Sequence, residues 1–141
     1  MREFSFVLLL LLFAGIVLCA AKESVPLKVI APDLVIESVE QGEFLDDPAD
    51  PRHFRRTDVV PRKNRYLFGW RMKVKTTRKS ILVQERGPAG KGHNGVPFQA
   101  VPKHGYIFQA SDIVAGVSPG KYSATIYVEN VPVTTVTSTV K

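Results

Sequence analysis

Three histidines, His53, His93 and His104, set the limit on the metal and acid–base chemistry open to this chain. No two stand at the i, i+4 spacing that places a pair of imidazoles on one helical face. Two fall in expected loops near glycine, so a weak surface copper or zinc site is the most they suggest, and ordinary solvated histidines are the expectation. Asp46, Asp47 and Asp50 offer hard oxygen ligands but lack the alternating positions and closing glutamate of a calcium loop. The expectation there is loose pairing with Arg52, Arg55 and Arg56, at most about 1 kcal/mol per exposed pair. Neither a resident metal nor a cofactor is expected.

The stretch ERGPAGKGHNGVP, Glu85 to Pro97, gathers four glycines around Lys91. A phosphate-binding loop needs Gly, four residues, then Gly-Lys and a hydroxyl residue, because backbone amides wrap the phosphates and the hydroxyl holds magnesium. Here Gly92 follows Gly90-Lys91, Glu85 stands five before Gly90, and no helical pattern follows to receive the anion. A strand connection is expected, and no nucleotide site. There is also no Gly-x-Ser-x-Gly elbow, and nothing local selects a carboxylate pair such as Glu37 with Glu85. The chain is therefore read as having no catalytic residues.

The cations are the richer feature. Arg71, Lys73 and Lys75 share one face of an expected strand, Arg65 precedes them in phase, and Arg78 with Lys79 marks the following turn. Such a stripe can engage phosphate or carboxylate groups. Its bland counterpart is a solvated strand whose lysines discourage edge-to-edge association. Arg65, Arg71, Lys73, Lys75 and Lys91 are the candidate binding residues.

Residues 1–21 read as a leader: an apolar run, FSFVLLLLLFAGIVLCAA, follows a short MRE start and ends in small residues that permit cleavage. An uncleaved anchor is the alternative. Cys19, the only cysteine, lies inside the run, and the bulky Leu18 before it disfavours lipidation. A mature chain without thiols has no disulfide framework and no cysteine nucleophile. The formal net charge is +6, which suits an anionic envelope component or an acidic protein as partner. Nucleic acid is not expected for an exported chain, and the oligomeric state is not legible.

The elements that must position these residues are strands. In RYLFGWRMKVK, Tyr66, Phe68, Trp70, Met72 and Val74 fall on one side and the cations on the other, a period of two. KYSATIYVEN repeats the pattern with Tyr122, Ala124, Ile126 and Val128, and VPVTTVTSTVK is rich in β-branched residues. A short link at Glu129 to Val131 makes these last two a hairpin. Weaker strands are expected at Leu27–Ile30, Leu34–Glu40, Ser80–Glu85, Phe98–Val101 and Tyr106–Ala110. SDIVA, Ser111–Ala115, suits a single helical turn. Residues 42–61 show no periodicity and read as a long surface loop. Trp70 and Tyr122 are expected as core anchors, each contributing about 2 to 3 kcal/mol by burial. The expectation is one domain, 22–141, built as an antiparallel β-sandwich of seven to eight strands, with a closed barrel as the alternative.

TDVVP at Thr57–Pro61, FGW at Phe68–Trp70, and VSPGKYSATIYVEN followed by VPVTTVTSTV resemble motifs of exported bacterial immunoglobulin-like domains with no assigned activity. The resemblance covers the C-terminal two-thirds and implies the sandwich fold, with the Pro-Gly-x-Tyr turn leading into the penultimate strand. GPAGKGHNG replaces the compact aromatic turn such domains carry after the middle strands. Function is expected to be non-catalytic: an exported binding or scaffolding module that engages an anionic partner through the basic strand face. The alternatives are a small metal-dependent hydrolase using the loop histidines and a structural subunit that pairs through a sheet edge.

Overall fold

A computed structural model describes residues 26–87, 94–112 and 117–141. The expected leader with Cys19, and Lys91 with His93, lie outside these residues.

Ten strands make up the described chain: β1 (Lys28–Ala31), β2 (Leu34–Phe44), β3 (Phe54–Arg56), β4 (Val59–Val60), β5 (Leu67–Thr76), β6 (Ile81–Arg86), β7 (Phe98–Ala100), β8 (Tyr106–Asp112), β9 (Gly120–Val128) and β10 (Val131–Val140). They form two separate sheets, which decides for a sandwich over a closed barrel. One sheet has the order β1-β2-β5-β8, with β3 also beside β2; the other runs β4-β10-β9-β6-β7. Every pairing is antiparallel except β4 with β10.

The alternation in β5 does what a period of two requires. Tyr66, Phe68, Trp70, Met72 and Val74 are buried while the residues between them are not. Opposite them the second sheet contributes Ile81, Val83, Ile126 and Val128, all fully buried, and Leu34, Ile36 and Ile107 complete the main core. A second cluster of Val60, Tyr66, Phe68 and Val140 closes one end. Among the described residues no polar or charged residue is buried, so the interior is held by apolar contact and backbone pairing. The β9–β10 hairpin turns on Glu129 and Asn130, whose φ values of 48° and 63° are the paired left-handed conformations of a tight two-residue turn.

Four expectations need correction. Residues 42–61 are more than a loop: they hold the end of β2, then β3 and β4, and the strand count rises to ten. β3 spans three residues and β4 two, too short to show a period. Ser111 and Asp112 belong to β8 and not to a helical turn, and the rest of SDIVA is outside the described residues. Tyr122 is no core anchor. It occupies the inward phase of β9, but near the open end of the sandwich, where it is 43% exposed and its hydroxyl donates to the Ser118 carbonyl at 2.6 Å.

Candidate functional site

The basic strand face lies on the outer surface of the β1-β2-β5-β8 sheet, and β2 lays two acids, Glu37 and Glu40, beside Arg71, Lys73 and Lys75. Glu40 stands opposite Arg71. The Arg71 guanidinium donates through Nε to Glu40 Oε2 at 2.7 Å, and its Nη1 donates to the Pro51 carbonyl at 2.7 Å. The same guanidinium stacks between the rings of Phe54, 4.4 Å from the centroid, and Tyr106, 4.9 Å away. A planar fork of five donors suits this site, which a lysine could not fill. Phe54 in turn packs edge-on to Phe44 at 5.1 Å, and Phe44 lies 5.5 Å from Phe108. Arg71, with its side chain 18% exposed, thus fastens the 45–53 segment to the sheet.

Lys73 and Lys75 differ from Arg71. An irregularity between Ile36 and Ser38 interrupts the β2 register at Glu37, whose carboxylate lies 3.7 Å from Lys73 Nζ and 3.4 Å from Lys75 Nζ. One carboxylate therefore serves two ammonium groups that remain 55% and 77% exposed. Arg65 is exposed at the turn before β5, with φ 59°, and has no ion pair among the described residues. Arg78, next to the ladder, is bound by both Asp33 oxygens at 2.8 Å, which holds the Asp33 carboxyl below its ordinary value.

Sequence spacing did bring one potential ligand group together. Asp46, Asp50 and His53 place ligand atoms within 4.8 Å of one another. All three already make other contacts: Asp46 pairs with the His53 ring, and Asp50 accepts from the Arg52 backbone at 2.9 Å and from its guanidinium at 3.1 and 2.8 Å. The hydrogen bonds from Arg52 depress the Asp50 carboxyl well below the usual carboxylate range. His104 is not part of this group; it holds a left-handed turn before β8, with φ 53°.

Glu37 and Glu85 do not meet. Glu37 faces outward, whereas Glu85 takes the inward phase of β6 and accepts a hydrogen bond from the Trp70 indole nitrogen. Tyr66 is 1% exposed, and burial raises its hydroxyl above the ordinary value; Arg55 partly offsets this, and Glu43 adds to it.

The feature that composition and charge did not reveal is an open flank. β10 pairs with β9 along its length, but β4 covers its other side only at Thr139 and Val140. Among the described residues nothing pairs with that side from Val131 to Ser138. Between this bare edge and β2 lies a cleft of about 600 Å³, lined by Val39, Glu40, Gln41, the 56–58 crossover and Thr134 to Thr137. The only hint in the sequence was the charge-free, β-branched run itself.

No protein-family model matches the chain, and no curated protein matches it. Among solved structures it is similar to an immunoglobulin-like protein from Pseudomonas aeruginosa, with a TM-score of 0.52 and 16% identity over 80% of this chain and 100% of that one. At this identity the likeness speaks for the architecture alone: two packed sheets of an immunoglobulin-like fold.

Proposed function

We propose that the protein is an exported, non-catalytic binding or scaffolding module that meets its partner through an unpaired sheet edge. The observation that carries this reading is the bare side of β10, a long strand without charge beside an open cleft. Soluble proteins blunt such edges with charges, covering loops or short strands unless the edge is used. The competing chemistries have less to work with. Asp46, Asp50 and His53 satisfy one another or Arg52, and Arg71 is committed to Glu40, Pro51 and two rings. Of the described loop histidines, His53 is already paired with Asp46 and His104 stands outside that group.

The test is assembly state. Extracted without denaturant from the cells that produce it, the protein should sediment with a second polypeptide; recovery solely as a free monomer contradicts the reading. A second mode draws on Lys73 and Lys75, whose two charges exceed the single Glu37 beneath them. An anionic envelope component or acidic protein held there should dissociate as salt rises from about 50 to 500 mM, since exposed charges are screened over a Debye length. Replacing both lysines by alanine should remove that salt dependence without unfolding the domain.

A further inference from the structure

We infer that the bare edge of β10 binds an extended segment of another protein, about five residues long, which alternates apolar and polar side chains and sinks its apolar side into the flank cleft. This inference rests on the edge-pairing function proposed above and names the edge, the register and the occupant.

The backbone phase of β10 is fixed by contacts already made. Thr139 donates its N–H to the Asp58 carbonyl at 2.8 Å, and Lys141 donates to Val60 at 3.0 Å. Alternate residues of a ladder strand present their N–H and C=O to opposite sides. The β9–β10 register is uninterrupted from Thr134 to Val140. Thr137 and Thr135 therefore direct their N–H and C=O groups to the same side as Thr139, where among the described residues no partner meets them. Four strong hydrogen-bonding groups in line with an existing two-residue pairing are half of an unfinished ladder.

The cleft defines the side chains. Val39 and Val136, both half-buried against the main core, are its apolar patch within a lining otherwise made of Glu40, Gln41, the 56–58 crossover and the threonines of β10. An incoming strand standing beside β10 has one row of side chains directed at these valines and the other beside Thr135 and Thr137, which are exposed on the outer surface. Apolar residues in the first row extend the core, and hydroxyl or other polar residues in the second continue the threonine surface, where Thr135 already bonds Thr125 at 2.9 Å. The ladder is limited to Thr134–Ser138, because β4 occupies the next positions and the irregularity between Pro132 and Thr134 bends the strand away.

That limit also argues against a second copy of this chain. Two β10 strands crossing a two-fold axis are each stopped by the other's β4 after about five residues, which buries far less than the roughly 1,600 Å² typical of stable pairs. A lone segment lacks that bulk and enters the cleft.

The probe is the acetylated, amidated peptide KVTVTVK, titrated into the isotope-labelled full chain and followed by amide resonances and amide exchange. The expected result is movement at Val133–Ser138 and Thr57–Val60, with exchange at Thr135 and Thr137 slowed by about ten-fold or more. Methylating alternate peptide amides should weaken binding in the phase that blocks the ladder and spare it in the other. Thr137→Pro, which deletes an edge-facing donor, should do the same from the protein side; should that variant fail to fold, the methylated peptides still decide. Slowed exchange along β8 instead, or none anywhere, overturns the β10 site. Protection of Thr135 and Thr137 that rises with protein concentration alone assigns the edge to a second copy and overturns the occupant. Failure of the broader reading shows differently, as recovery of the native protein without a second polypeptide.

Discussion

Arg71 looks in the sequence like a member of a positive stripe and acts in the structure as a fastener. Arg71→Ala removes a guanidinium that pairs with Glu40, holds the Pro51 carbonyl and fills the space between Phe54 and Tyr106, and it leaves Glu40 half-buried without a partner. We expect a loss of about 2 kcal/mol from the denaturant midpoint. Lys75→Ala, at an exposed ammonium sharing Glu37, should stay within about 0.5 kcal/mol. Titration separates two further residue types. Asp33 and Asp50 are held below their ordinary value of 3.8 by hydrogen bonds from Arg78 and Arg52, so folding favours their ionised forms. Their contribution is present above about pH 4 and is lost as pH falls through the lower folded values. The Asp33→Asn, Asp50→Asn double variant should therefore show a flatter acid limb in thermal scans. Tyr66 has the opposite sign: its raised value makes the neutral hydroxyl the folded form, with stability lost as pH climbs above about 10. Tyr66→Phe should soften that alkaline limb.

Strands with a strong alternation were legible because one face is sealed and the other wet, and β5 is the clearest case. The short β3 and β4 were not legible, since two or three residues carry no period and their positions are fixed by Gly42–Phe44 and by Thr139–Val140 far away in sequence. Tyr122 misled for a related reason: phase says which way a residue points but not whether the partner sheet reaches that far. Of the candidate binding residues, sequence placed Arg71, Lys73 and Lys75 on one face correctly. It could not see that β2 lays Glu37 and Glu40 beneath them, because cross-strand register is a tertiary property. Close strand approach gives a test of that register. A Cβ at Gly69 meets the Gln109 carbonyl oxygen at 1.8 Å, and one at Gly42 meets the Arg55 carbonyl oxygen at 2.1 Å and the Phe54 ring at 2.7 Å. Gly69→Ala and Gly42→Ala should each cost about 2 kcal/mol or more by forcing β8 or β3 off the sheet, measured by chemical denaturation.

The molecule as a whole pairs an apolar interior with a net positive surface on which Arg52, Arg55, Arg71 and Arg78 each hold an acid. Unpaired backbone runs along the flank where β4 covers only two residues of β10. The immunoglobulin-like architecture explains how such an edge arises, since a sandwich leaves the ends of its sheets open unless a further strand closes them. Residue-resolved amide exchange of the isolated protein at low concentration is the most direct test of this picture. The account predicts slow exchange for the inner ladder amides of β5 and for Val136, which faces β9, alongside fast exchange at Thr135 and Thr137. Equal protection at Thr135, Val136 and Thr137 would contradict it, because the edge would then already be closed.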